Sequence, residues 1–431
     1  MEEKNLFKST NIAIYLIATM LMGYFIWIFL NIEELSKYNL LIASFYIEPN
    51  AYGEFAMGLI VTIVLSLIVF LFLRPYFVFW LIKAFITLFV LILRESTRAF
   101  DPSNYYGTGV YYIEKYVFGS SGTANVMHIT NFFSNFMGES YYSLKIFFSF
   151  IGFLGIVLFY KAFVHIMKRS NLSNIEGFKY WLFFLPSILL WTSNIGKDAL
   201  MFFCVGLFTF GVVHLINKMN PMYFLIISLA MILAMYIRPW YPMIMIIALS
   251  LYYTNLRSIK SIFFLIILSP FLYIILIGMI GHFGIYSFDD MFLRMTSIST
   301  GFSRGGSSVD VNKITGLSSY LFYFIPNAFT ALFRPMLFEV RNLGMLLSSM
   351  ENILLLYLFF KYIIWNLREV MQNKYLKFLL IFIFAWLLLY VIPQGNLGTT
   401  IRFKVHVLPA LIMLAYIGRQ IILNKKARHS I

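Results

Sequence analysis

The sequence predicts an all-α polytopic integral membrane protein of roughly 12 transmembrane helices, and three observations predict it. Of 431 residues, 61% are hydrophobic, 19% aromatic and only 12% charged, with a mean hydropathy of +0.82; a water-soluble chain does not tolerate this. The apolar residues fall into about a dozen runs close to the ~20 residues that cross a hydrocarbon core, where each backbone polar group must be satisfied within its own segment. Lysine and arginine are distributed unequally between alternate connections.

In chain order the expected spans are 11–30, 57–73, 76–93, 144–163, 178–191, 200–216, 222–237, 241–254, 262–280, 346–364, 376–392 and 405–423. Residues 1–10 hold two acids and two lysines, and no small-residue cleavage pattern follows. The first run therefore reads as a span and not as a cleavable signal. With the N-terminus inside, one side receives 18 cations beside four acids, Glu2, Glu3, Glu176 and Glu369. The other side receives 14 cations and 14 acids, and Lys83 lies within a span. The positive-inside rule then puts both termini in the cytoplasm, and the whole chain, 1–431, reads as a single transmembrane domain. The formal charge of +15 is thus a topology signal, and nucleic acid drops out as a partner. The single cysteine, Cys204, excludes an intrachain disulfide framework and a cysteine-built metal site.

Long connections, 31–56, 94–143 and 281–345, all fall on the outer side, where function is expected to reside. Within the third, 317–338 is apolar enough to pass for a span. Counting it as one would turn the basic segment 361–377 outward, so it reads as an interfacial or re-entrant element ending at Arg334-Pro335. No internal repeat of the kind found in two-halved transporters is visible.

Candidate chemistry collects at the outer ends of the spans. Asp101-Pro-Ser-Asn-Tyr105-Tyr106-Gly-Thr-Gly109 places an acid beyond a span, with tyrosines after it. A carboxylate there can take a proton from a sugar hydroxyl; Asp-Pro is equally the chemistry of a turn. Pro186 to Asp198 joins two spans with almost no loop, so Lys197 and Asp198 need specific partners if buried. Asp198 also suits a helix N-terminus. Arg238, Arg304, Arg334 and Arg402 each stand beside a proline, a glycine or a span end. Guanidinium matches phosphate oxygens in a bidentate fork, so converging arginines suit a pyrophosphate at headgroup level; singly, each also suits snorkelling to lipid phosphate. His406, four residues after Arg402, shares its helix face and is a candidate proton carrier. Trp240, Tyr241, Tyr320 and Tyr323 are candidates to stack on sugar faces, and aromatics also form the membrane belt. There is no His-Glu-x-x-His, no phosphate-cradling Gly-Lys-Ser/Thr loop and no nucleophile elbow.

Taken together, Asp101 with its tyrosines, Pro186…Trp191…Lys197-Asp198, Phe333-Arg334-Pro335 with Glu339…Asn342, and Gly395-Asn396-Leu397-Gly398…Arg402 before Pro409 resemble the bacterial O-antigen and capsule polysaccharide polymerases and related polyprenyl-dependent glycosyltransferases of the GT-C superfamily. The resemblance covers most of the chain through short motifs. It implies a GT-C-like fold in the bacterial cytoplasmic membrane, and an outer-face cavity for an undecaprenyl-pyrophosphate-linked glycan. It also implies Asp101 as base and Lys197, Arg238, Arg304, Arg334 and Arg402 as donor-phosphate residues, with no metal or other cofactor; Tyr105, Asp198 and His406 are read beside them as substrate-binding residues. Membrane lipids, a flippase and a chain-length regulator are the implied partners. Two features depart from that pattern: the acid stands alone in the second outer connection, and His128 or His282 fits the expected loop histidine only loosely. A lipid-linked oligosaccharide flippase or secondary transporter, and an O-antigen ligase, are the alternatives. A transporter is expected to carry charge near the bilayer midplane, where the spans offer little beyond Lys83.

Overall fold

A computed structural model describes residues 19–40, 50–97, 101–253, 288–303, 307–310, 314–392 and 395–429. Among these residues there is no strand, and one isolated antiparallel bridge joins Ser308 to Asn396. The helices run α1 (Thr19–Leu30), α2 (Ile32–Leu40), α3 (Ala51–Phe72), α4 (Arg74–Glu95), α5 (Asp101–Tyr111), α6 (Gly122–Met137), α7 (Tyr141–Arg169), α8 (Glu176–Phe184), α9 (Pro186–Trp191) and α10 (Lys197–Asn217). They continue as α11 (Pro221–Ile237), α12 (Tyr241–Tyr253), α13 (Phe288–Phe302), α14 (Leu317–Phe333), α15 (Leu343–Ile364), α16 (Leu367–Gln372), α17 (Lys374–Tyr390), α18 (Leu397–Lys404) and α19 (Leu408–His429).

Five of these, α3, α4, α7, α10 and α15, are long and apolar enough to cross a membrane. The pair α18 and α19, bent by 61°, makes a sixth if it is one span. At 1.5 Å per residue the 22 residues of α3 reach ~33 Å, enough for the hydrocarbon core. This helix leaves Ile63, Leu67, Leu71 and Phe72 more than half exposed. In water each such side chain forgoes roughly 1.5–3 kcal/mol of burial, so the surface is consistent with lipid around it. By contrast, 72% of the apolar window of α10 is buried, against 22% for α3; α10 is an interior helix and α3 a peripheral one. Four further apolar helices, α1, α11, α12 and α14, are 10–17 residues long.

The structure corrects several expected boundaries. The span expected at 178–191 is broken into α8 and α9, because Pro186 has no N–H to give and its ring disfavours a helical residue before it. Leu185 accordingly turns extended, with φ −64° and ψ 123°. Neither fragment, of nine and six residues, crosses a membrane alone. The span expected at 405–423 starts at Leu408 after the bend, with Pro409 in the first turn where its missing donor costs nothing. The connection 94–143 contains α5 and α6, and 31–56 contains α2. The element at 317–338 is the helix α14, which ends at Arg334 as its cap. The span expected at 262–280 lies outside the described residues.

Two compact units emerge: 1–150 with 193–196, and 151–192 with 197–431. In the first unit three polar side chains of α4, Lys83, Thr87 and Glu95, are buried and hydrogen-bonded. One oxygen of Glu95, Oε2, accepts from Lys145 Nζ at 2.7 Å, Tyr141 Oη at 3.1 Å and Asn39 Nδ2 at 3.2 Å. Lys83 Nζ donates to Ser193 Oγ at 2.6 Å. Glu95 ends α4 and Lys145 lies in the first turns of α7, so this pair stands at helix ends while Lys83 lies within α4. Tyr105, on α5, is buried with its ring edge against Gly196, where an added Cβ would stand 3.2 Å away.

In the second unit α10 packs along α11, and α12 along α17. Gly152 of α7 lets the turn after α9 approach closely: a Cβ there would sit 2.4 Å from the Thr192 carbonyl oxygen. Gly152→Ala should therefore destabilise by about 1–3 kcal/mol through overpacking. In the first unit Gly23 of α1 has nothing within 4 Å of its Cβ position, so Gly23→Ala should be neutral or stabilising by up to ~1 kcal/mol. Denaturation of both variants in one detergent tests this, and equal behaviour would contradict the close approach.

Candidate functional site

Local sequence dictates where the charged groups of the second unit stand. Asp198 occupies the first turn of α10, where the helix dipole favours an anion. Arg238 caps the C-terminus of α11, where the dipole favours a cation, and its amide still bonds to the Ala234 carbonyl at 2.8 Å. Because Pro239 follows, Arg238 is held extended, with φ −139° and ψ 95°. Arg402 lies in the last turn of α18, a helix capped by Asn396 Oδ1, which accepts from Thr399 N at 3.2 Å. His406 lies at the bend between α18 and α19.

These elements bring together side chains that are 40 and 204 residues apart. Asp198 Oδ1 accepts from Arg238 Nη2 at 2.8 Å, and Oδ2 accepts from Arg402 Nε. One carboxylate thus holds two guanidiniums, leaving a net positive charge. Both cations lie over aromatic faces: Arg238 Cζ is 4.6 Å from the centre of the Phe403 ring, and Arg402 Cζ is 5.6 Å from that of Trp191. Such contacts hold a guanidinium where little water reaches it. The Trp240 indole donates to Tyr390 Oη at 3.3 Å, and Tyr390 stacks on Trp386 at 4.8 Å.

The two arginines differ in access. The Arg238 side chain is 4% exposed and that of Arg402 is 19% exposed. Arg402 is therefore the more accessible of the two, and Arg238 the more deeply buried. His406 is fully buried, with Nε2 3.8 Å from Asp198 Oδ1 and its ring edge-on to Tyr241 at 5.4 Å. Neither nitrogen of His406, nor Arg238 Nε, nor Tyr241 Oη has a hydrogen-bond partner. Buried polar atoms are seldom left so.

Of the other expected residues, Lys197 adjoins Asp198 and is half-buried, opening α10. Asp101 opens α5 as an exposed acid in its first turn. Arg304 lies outside the described residues. Arg334 does not join the Asp198 group. It forks onto Glu339, with Nε 2.9 Å from Oε1 and 3.1 Å from Oε2 and Nη2 also on Oε1, while Met336 N donates to Glu339 Oε2 at 2.9 Å. Burial alone would push the Glu339 carboxyl up; the Arg334 fork and the Met336 amide outweigh it and hold it below its ordinary range. The pair is thus intact at neutral pH and lost only as pH falls through that lowered value. Tyr241 is fully buried, and Tyr320 Oη donates to the Leu388 carbonyl at 2.6 Å.

Sequence reasoning missed the residues behind the site. Asn352 of α15 donates to the Pro335 carbonyl at 2.9 Å and accepts from Lys404 Nζ, so the Arg334 turn is tied to the helix that carries Arg402. Its neighbour Glu351 accepts from Ser187 N at 3.1 Å. An acid and an amide in the middle of the apolar run 343–364 were the available signal. Among the described residues no group of three or more His, Cys, Asp or Glu side chains is placed to hold a metal ion. Comparisons with protein-family models, curated proteins and solved structures returned no match.

Proposed function

We propose that this protein is a glycan transferase or polymerase of the bacterial cytoplasmic membrane, using undecaprenyl-pyrophosphate-linked sugars at the outer face in O-antigen, capsule or exopolysaccharide synthesis. The observation that carries the reading is the Asp198 group, in which two guanidiniums share one carboxylate between aromatic faces. A lipid diphosphate is the anion such a site suits: its oxygens accept from planar forks, and its charge replaces part of what Asp198 supplies.

In the proposed reaction an acceptor hydroxyl attacks the anomeric carbon of the donor sugar. The bond to the diphosphate breaks, and the electron pair leaves with the phosphate oxygen. Arg402, backed by Arg238, stabilises that developing charge with donors already in place. Lys197, beside Asp198, adds a further cation. The acceptor proton goes to a general base, the role that the sequence resemblance gives to Asp101. The lipid carrier brings the activated sugar with it.

Asp101→Asn and Arg402→Ala are expected to insert and accumulate normally in a deletion strain yet fail to extend surface glycan. Glycan of ordinary length with both variants sinks the assignment. A topology reporter fused after Gly306 should be active only outside, and activity inside would reverse the proposed orientation.

A lipid-linked glycan flippase is the second reading. Buried charge inside an apolar helix, Glu351 of α15 with Lys404 beside it, favours it. Translocation in proteoliposomes without any change in glycan length would select that reading over transfer.

A further inference from the structure

At the end of α7, bounded by α16, the start of α17 and the last turns of α19, lies a cavity of about 900 Å³. It belongs to the second unit, and no residue of the Asp198 group lines it. Its volume falls within the ~300–1,000 Å³ usual for small-molecule sites. Arg169, Arg368 and Lys374 face it against one acid, Glu369, leaving two positive charges in excess. Between the cations stand the amides of Asn171, Gln372 and Asn373. Asn373 also fixes the wall: its Nδ2 donates to Ser170 Oγ at 3.0 Å, and its Oδ1 accepts from the amides of Tyr375 and Leu376 that open α17. Leu172 and Ile421 make an apolar floor.

The depth of the cavity in the membrane follows from α16. This short helix turns Arg368, Glu369 and Gln372 to the cavity, while Trp365 just before it, Leu367 and Met371 are exposed. A helix that is apolar on one face and charged on the other, with an exposed tryptophan at its start, lies in the interfacial layer. Around it, α7 and α15 end and α17 begins, as helices do at a membrane surface. The cations therefore sit at the level of lipid phosphates, and guanidinium forks and amide donors are the groups that satisfy a phosphodiester.

We infer that this cavity is a binding site for the phosphodiester head of an anionic membrane phospholipid, held by Arg169, Arg368 and Lys374. The inference does not rest on the glycan reading, since it uses a different cavity and different residues. Its acyl chains would lie along the exposed apolar side of α16, and its head would tie that helix to the ends of α7 and α17.

The test uses the full chain in neutral detergent, incubated with equimolar phosphatidylglycerol and phosphatidylcholine, with retained lipid counted by native mass spectrometry. The wild type should retain phosphatidylglycerol about tenfold over phosphatidylcholine, as expected for several basic groups acting on one head. The triple variant Arg169→Gln/Arg368→Gln/Lys374→Gln should lose that preference with its melting temperature unchanged, because all three side chains are exposed. A control removing the same charge elsewhere, Lys161→Gln/Lys218→Gln/Arg419→Gln, should keep it, and 10-fold excess inorganic phosphate should not displace the lipid. Absence of preference in the wild type overturns the inference. So does equal loss in the control, which would mean diffuse surface attraction, or full displacement by inorganic phosphate, which would mean a site for the free anion.

Discussion

Asp198→Ala is expected to cost about 3–5 kcal/mol of stability, the usual penalty for removing one partner of a buried charge pair, and to abolish glycan transfer. The carboxylate is buried, and without it Arg238, 4% exposed, faces Arg402 with no anion between them. Part of the loss comes from the start of α10, where the acid offsets the helix dipole by roughly 0.3–1 kcal/mol. Asp198→Asn keeps the volume and one acceptor but not the charge, and should fall between. Arg402→Gln separates binding from folding: its side chain is the more exposed and donates to Asp198 through Nε. That variant should lose much less stability than Asp198→Ala and as much transfer. Denaturation curves in detergent beside product formation measure both, and an Asp198→Ala protein as stable as wild type would contradict the shared-carboxylate geometry.

Lys145→Met carries the second large effect. It strips Glu95 of its cation inside a helix bundle, where Lys145 is fully buried and Glu95 nearly so, at an expected cost of about 3–5 kcal/mol. Tyr141 and Asn39 continue to donate to Glu95 Oε2, which places the cost toward the lower end. Adding Glu95→Gln should recover most of it, because replacing a buried pair by neutral groups is often nearly neutral. The same double variant weighs the two functional readings. A transferase that uses the pair only as structure should keep its activity, whereas a transporter that moves charge through it should not.

Much of this was legible in the chain. Apolar runs located the five helices long enough to cross a membrane, because that length follows from the bilayer. Asp198, Arg238 and Arg402 could be singled out because each breaks an apolar context beside a helix end. Their convergence could not be read, since contact across 204 residues depends on how helices pack, not on spacing. Arg334 shows the limit of sorting arginines by neighbourhood: Glu339, five residues on, takes up its fork, and only the turn between them brings that partner near. At 178–191 the apolar run outweighed the proline inside it, although a residue without an N–H ends a helix whatever surrounds it. Glu95, Lys145 and Glu351 sit near or inside apolar runs, where hydropathy averages them away.

On the proposed function, Arg402 and Arg238, shared by Asp198, hold the diphosphate of a polyprenyl carrier. Binding of undecaprenyl pyrophosphate to the purified protein in neutral-lipid nanodiscs tests it most directly, with undecaprenyl monophosphate as the comparison and Arg402→Gln as the variant. Saturable binding that favours the diphosphate and is lost in Arg402→Gln is the predicted result. Equal binding of the two lipids, or binding untouched by the substitution, would contradict it.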